Sequence, residues 1–299
     1  MKIIHLRHKD IDKEKWDKVV EDSAIGLPYC FTWYLDTVSP NWEALVSDDY
    51  DFIMPLPLKK KCGINYLFQP QWTQQLGILA KNSNLNQDIT NKFIAKIPYL
   101  FYCFNINYTN NIKKITPKNN LTLNLDCGVE AIRRGYNQNT KRNIRKAQSC
   151  NLNIGKLSSN EVFEFYCMEN NDVVGTKFHN LQTLMATADI NGVGRGYGVW
   201  DNDTLIAALF GIETKQRFIY LNPISSKQGK DKSAMFLLVD KLIEVYSKKK
   251  FIFDFEGSMI PGVEKFYLGF GAKVEQYGEL SRMKTGKILS LLIKMRDNI

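Results

Sequence analysis

Asp254 and Glu256 close the apolar run Phe251 to Phe255 with two carboxylates spaced two residues apart. On an extended strand both point to one face, with Phe253 and Phe255 on the other. Two carboxylates on an otherwise apolar strand repel each other, and that repulsion lifts one pKa toward the range of a general base. Glu256 is the stronger candidate, because it lies nearer the C-terminal end of the strand, where α/β sheets place ligands. Asp254 would support it. The alternative is an ion pair with a basic residue such as Arg142 or Arg145.

Three further segments carry binding chemistry. Ser225-Ser-Lys-Gln-Gly-Lys-Asp-Lys-Ser-Ala234 precedes the strongest helical pattern in the chain. Free backbone N–H groups and the positive end of a helix favour anions. Gly229 would allow close backbone approach, Lys227, Lys230 and Lys232 add charge, and Gln228 and Ser233 add polar side chains. The alternative is a solvated loop before an amphipathic helix. The segment Arg133 to Lys146 holds Arg133, Arg134, Lys141, Arg142, Arg145 and Lys146 with no acidic residue among them. On a helix Arg142, Arg145 and Lys146 share a face, suited to phosphates or carboxylates or simply to water. Tyr136 is the only aromatic there, so sequence-specific RNA reading is not indicated. Finally, the amides around Trp72, with Gln74 and Gln75 foremost, are candidates for orienting a substrate in a groove between two halves of the chain; the alternative is a self-satisfied turn.

The elements that must position these residues follow from hydrophobic periodicity. In the first part, Lys2–Leu6 reads as a strand, Ile11–Glu21 as a helix with Trp16, Val19 and Val20 on one face, and Trp42–Val46, Phe52–Leu58 and Tyr66–Gln69 as strands. Asp88–Ile97 is a helix stopped by Pro98, and Leu100–Tyr108 and Asn120–Leu125 are strands. A second cycle begins with one helix over Gly128–Gln148, then strand Leu152–Leu157 and helices Asn160–Glu169 and Leu181–Ala188. Strands Gly196–Trp200, Leu205–Glu213 and Phe218–Asn222 follow, then helix Lys232–Lys248, strand Phe251–Phe255, helix Pro261–Phe270 and strand Lys273–Leu280. Ile288–Met295 reads as a further apolar-rich helix.

At 299 residues and 44% hydrophobic composition the chain is long enough for two domains. Six scattered cysteines without a C-x-x-C pair and three histidines give neither a zinc site nor a disulfide framework. The net charge of +9 favours an anionic partner, which charge alone does not identify. No apolar run approaches the ~18 residues of a membrane span, and no secretory signal is recognisable, so a soluble, cytoplasmic protein without membrane insertion is expected.

The element order of the second cycle, together with Tyr136 to Ala147, Asp254 to Ser258 and Gly262 to Ala272, resembles the tandem-GNAT proteins of the FemABX type. The resemblance implies an α/β mixed-sheet protein of two packed GNAT-like halves. Residues 1–127 would form a degenerate N-terminal copy and residues 128–299 the half with the active site. It implies direct attack of an amine on an acyl thioester, with acetyl-CoA or another acyl-CoA as donor and no metal. Gln228, Gly229, Lys230, Lys232 and Ser233 would bind the cofactor's phosphates, although Asp231 stands where the family pattern has glycine. Backbone N–H groups near Leu221 and Asn222 would hold the thioester oxygen, Glu256 with Asp254 would be the base, and Tyr267, four residues before Gly271, would be the acid. Lys141, Arg142, Arg145, Lys146, Trp72, Gln74, Gln75 and Ser258 would contact a small anionic acceptor, a metabolite or cell-envelope precursor. The FemABX relationship implies an alternative, aminoacyl transfer from tRNA to a peptidoglycan precursor. The Phe-Lys pair of those enzymes would fall on Phe266-Tyr267, where the lysine is missing. A catalytically inactive binding module is the third reading.

Overall fold

The computed structural model describes residues 1–23, 27–81, 85–107, 115–170, 176–248, 250–257 and 260–283. Ser258 and the helix expected over Ile288–Met295 lie outside them. The chain divides into two units, one of Met1–Ile25, Tyr29–Lys118 and Gln276–Ile299, the other of Gly26–Pro28 and Asn119–Glu275.

The first unit begins with β1 (Ile3–Leu6), α1 (Lys13–Asp22), α2 (Thr32–Val38), β2 (Glu43–Ser47) and β3 (Phe52–Leu56). It continues with β4 (Leu58–Lys61), β5 (Ile64–Phe68), β6 (Leu79–Ala80), α3 (Gln87–Ala95) and β7 (Phe101–Ile106). Strands β1-β2-β3-β6 form one sheet. In the other, β4 pairs with β5, β5 lies parallel to β7, and β7 takes Gly278–Met283 as its antiparallel neighbour. Helix α1 buries Trp16, Val19 and Val20, the spacing the sequence displays, and Asp12 caps it through the Lys15 N–H. Helix α2 was not expected, being seven residues long.

The second unit takes the C-terminal part of β8 (Ile115–Asn124), then α4 (Val129–Gly135), α5 (Gln138–Gln148), β9 (Asn153–Leu157), α6 (Ser159–Glu169) and α7 (Thr176–Ile190). After these come β10 (Gly194–Asp201), β11 (Thr204–Glu213), β12 (Arg217–Ser225), α8 (Lys227–Asp231), α9 (Ala234–Tyr246), β13 (Ile252–Asp254), α10 (Pro261–Gly269) and the start of β14 (Lys273–Met283). The strands lie in the order β8-β13-β12-β11-β10-β9. All neighbours are antiparallel except β12 and β13, which run parallel over three residue pairs, Arg217↔Ile252 to Ile219↔Asp254. Leu209, Phe218, Tyr220 and Phe253 form a core with Leu238, Val239 and Leu242 of α9 on one face of this sheet. Helices α6 and α7 pack on β10 and β11. No helix among the described residues is long and apolar enough to cross a membrane.

Two expected helices are interrupted. Gly128–Gln148 is two helices, because Tyr136 leaves helical geometry and Asn137 caps α5 through the Thr140 N–H at 2.8 Å. Tertiary contacts hold the break: the Tyr136 hydroxyl donates to Asp240 at 3.0 Å, and the Asn137 N–H donates to the Gly269 carbonyl at 2.9 Å. The helix expected from Lys232 begins at Ala234, and Ser233, at φ +58°, divides it from α8.

Candidate functional site

Strands β12 and β13 stop pairing after Ile219 and Asp254, yet β12 runs on to Ser225. The stretch of β12 beyond β13, the α8 to α9 junction and α10 line a cavity of about 410 Å³. Tyr220, Pro223 and Ser225 line it from β12, Met235 and Phe236 from α9, and Val263, Phe266 and Tyr267 from α10. Aromatic packing sets these walls. Tyr267 stacks on Phe255 at 4.6 Å between ring centres and meets Tyr220 edge-on at 5.9 Å, while Phe236 meets Phe266 at 4.6 Å. Lys230 is the charged residue of the lining. Among the described residues the lining of this slot is thus mostly apolar, with one cation.

Tyr267 lies in the wall of this slot and is largely buried. Burial, and secondarily the charge of nearby Glu256, push its phenol well above the ordinary tyrosine range. It is thus a neutral hydrogen-bond donor at physiological pH. Tyr220 is pushed up in the same direction by complete burial and by Tyr267.

Asp254 and Glu256 are not the carboxylate pair that their spacing predicts. Strand β13 ends at Asp254, and Glu256 adopts φ +59°, so the strand alternation that would align the two side chains is broken. Asp254 is fully buried and ion-paired to Arg217 at 2.5 Å, with its other oxygen accepting the Glu256 N–H at 2.9 Å. It is a structural anchor for the turn, and of the two carboxylates it is the Glu256 charge that acts on Tyr267. The cation that partners Asp254 is Arg217. Gly257, at φ +65°, continues the turn; a Cβ there would run into the Asn119 carbonyl.

The turn before Lys232 has several of its amides already engaged. It forms α8, in which the N–H groups of Gly229, Lys230, Lys232 and Ser233 bond to Ser226 Oγ and to the Ser226, Gln228 and Lys230 carbonyls. Gly229 is needed because its Cα rests on the Ile206 carbonyl, where a side chain would collide. Lys232 pairs with Asp201 at 2.5 Å and Gln228 donates to the same carboxylate. The hydrogen bond from Lys232 chiefly holds Asp201 below the usual carboxylate range, against partial desolvation. Ser233 donates to Asn143 at 2.8 Å. Of the expected cofactor residues, Gly229, Lys230 and Ser233 line the cavity, whereas Gln228 and Lys232 turn toward the β10–β11 hairpin. Leu221 and Asn222 lie on the stretch of β12 beyond its pairing with β13.

The basic segment divides in two. Arg133 is held by Asp240, at 3.0 and 2.7 Å, and by Glu244 at 3.1 Å. Lys141 donates to the Arg134 carbonyl and Arg142 to Asn139. Arg145 and Lys146 are exposed, with no side-chain hydrogen bond or ion pair among the described residues. In the first unit, Asn105 Nδ2 donates to the Gln74 carbonyl at 2.6 Å, Gln75 donates to the Gln74 side chain at 2.8 Å, and Tyr34 donates to the Trp72 carbonyl. Gln74 and Gln75 are buried, so this stretch is a turn bonded to its own unit.

No protein-family model matches the chain, and no curated protein matches its sequence. Solved structures do. The crystal structure of FemX superposes with a TM-score of 0.67 at 11% identity, covering 98% of this chain and 100% of that one. A tandem GNAT protein from the clavulanic acid biosynthesis pathway gives 0.52 at 7%, covering 95% and 100%. The chain has the tandem-GNAT, FemABX-like fold. The C-terminal domain of a lysylphosphatidylglycerol synthetase from Agrobacterium fabrum shares it, with a TM-score of 0.59 at 8% identity over 94% of each chain. Within this tandem-GNAT fold, the residues the sequence does not single out are the aromatic wall residues Tyr220 and Phe236, whose types are those of any core, and Arg217, whose acidic partner lies 37 residues away.

Proposed function

We propose that the second unit is an N-acyltransferase that takes its acyl group from a coenzyme A thioester and passes it to an amine. The observation that carries this reading is the apolar slot at the parting of β12 and β13, with Tyr267 in its wall and Glu256 beside that phenol. An acyl thioester arm fits those walls, while Lys230 and the first turn of α9 would face the donor's phosphates. With the Gly229, Lys230, Lys232 and Ser233 amides engaged, the phosphate contacts would fall to these groups.

Glu256 would accept the proton of the attacking amine, and Tyr267 would donate to the departing sulfur. The two are coupled. When Glu256 gains a proton, the negative charge that raises the Tyr267 pKa disappears, and the phenol becomes a better acid as the thiolate forms. The tetrahedral oxyanion would find its donors on the open edge of β12 near Leu221 and Asn222. The acceptor would be an amine of an anionic metabolite or cell-envelope precursor, whose charge suits the exposed Arg142, Arg145 and Lys146.

Calorimetric titration with acetyl-CoA tests the donor: a saturable heat is expected, and none at millimolar ligand would remove the reading. Tyr267→Phe should bind the donor as wild type does and lower kcat by about 10² to 10⁴; an unchanged kcat would dismiss Tyr267 as the acid. The exposed basic row favours a second reading, aminoacyl transfer from tRNA to a peptidoglycan precursor. Co-purifying tRNA that is lost steeply with salt would favour it.

A further inference from the structure

Strand β12 changes face as it passes the opening. Tyr220, Pro223 and Ser225 all line the cavity, although strict alternation would not put residues 220 and 223 on one side. The pairing with β11 explains this. Ile219 lies opposite Ile212, and Asn222 opposite Phe210, so the step is three residues on β12 and two on β11. The extra residue is a bulge. Directly opposed residues share a face, so Asn222 points the way Phe210 does. Phe210 lies on the α7 side, since a Cβ built on Gly194 would meet both its ring and the Asp189 side chain of α7. Asn222 therefore looks away from the cavity, through to the opposite face of the sheet.

Its side-chain NH₂ finds no acceptor there among the described residues. Asn222 is 5% exposed, and its Nδ2 is enclosed without a hydrogen-bond partner among the described residues. Leaving a buried amide unmatched costs stability that an apolar residue of equal size would not lose. The charged groups nearby on the same strands are matched: Arg217 and Asp254 cancel one another. What remains is one uncharged carboxamide, just beyond the point where β13 ceases to cover β12.

We infer that Asn222 is a binding residue for the acceptor, donating a hydrogen bond to a neutral carbonyl oxygen, of the amide or peptide kind, close to the nucleophilic amine. This rests on the donor occupying the cavity, as proposed above. The donor then enters from one face and the amine from the other, meeting at the unpaired edge of β12. A neutral carbonyl is preferred to a carboxylate because the local charge is already balanced.

The test uses the whole protein with acetyl-CoA as donor and two probe amines, alaninamide and propylamine, which differ in the carbonyl. In wild type, the Asn222 side-chain NH₂ resonances, assigned by their loss in Asn222→Leu, should shift with alaninamide and stay in place with propylamine. Asn222→Leu should raise KM for alaninamide about tenfold relative to that for propylamine, the value of one hydrogen bond. Its melting temperature should rise, since no native bond is lost. Equal responses to both amines, or a lower melting temperature revealing a bond to the protein or to a structural water, would overturn the inference. Absence of heat with acetyl-CoA would instead count against the donor assignment, and the resonance shifts with the amines alone would still decide the role of Asn222.

Discussion

Removing Arg217 should unfold the second unit at markedly lower temperature while leaving its apolar walls in place. The guanidinium lies 2.5 Å from Asp254, whose side chain is fully buried, and its own side chain is 11% exposed. In Arg217→Met the carboxylate keeps, among the described residues, the Glu256 N–H and no cation. Two unit charges ~4 Å apart attract by about 4 kcal/mol at an effective dielectric constant near 20. Deleting one partner of a buried pair costs about 3–5 kcal/mol, because the remaining charge is stranded. For a domain of this size that lowers Tm by roughly 6–20 °C. The double variant Arg217→Met/Asp254→Leu removes both charges and should recover most of the loss. Differential scanning calorimetry, with denaturant titration for the free energies, reads both. A loss below about 1 kcal/mol for Arg217→Met, or a double variant no more stable than the single one, would show that the pair is not the buried anchor described here.

Two further outcomes are expected. Gly257→Ala should destabilise by more than the ~1–2 kcal/mol of a left-handed alanine, because its Cβ meets the Asn119 carbonyl, and by displacing Glu256 it should also lower any acyl transfer; a wild-type Tm would refute this. In the first unit, partial burial raises the Asp36 pKa, but hydrogen bonds from Lys13, Trp42 and His8 outweigh it and hold the group below its ordinary 3.8. A depressed folded pKa adds stability that is complete above the unfolded value and is lost as pH falls through the folded one. The Tm difference between wild type and Asp36→Asn should accordingly be constant near neutrality and shrink below about pH 4; a gap that widens on acidification would contradict it.

Periodicity reached far in this chain where burial is periodic. Trp16, Val19 and Val20 in α1, and Leu238, Val239 and Leu242 in α9, announce their helices because each apolar side enters a core. The element order of the second unit was readable for the same reason. The breaks were not. Nothing local ends a helix at Tyr136 except the capping chemistry of Asn137; the decisive partners, Asp240 and Gly269, are over a hundred residues away. Ser233 likewise leaves helical geometry without a glycine to signal it. For Asp254 and Glu256 the residue types were informative and the geometry was not, since the strand stops one residue too early and Arg217 arrives from a neighbouring strand. Tyr267 could be placed by resemblance, while the aromatic partners that shape its slot look like ordinary core residues.

The junction of α4 and α5 is fastened to α9 twice, by the grip of Arg133 and Tyr136 on Asp240 and by the Ser233–Asn143 hydrogen bond. Helix α9 also supplies Met235 and Phe236 to the slot. The free cations Arg145 and Lys146 are thus bolted to the same beam as the slot, and the span from one to the other is a fixed gauge. A molecule touching both must match that length, so trimming or extending an acceptor between its anionic end and its amine would spoil the fit whatever its chemistry.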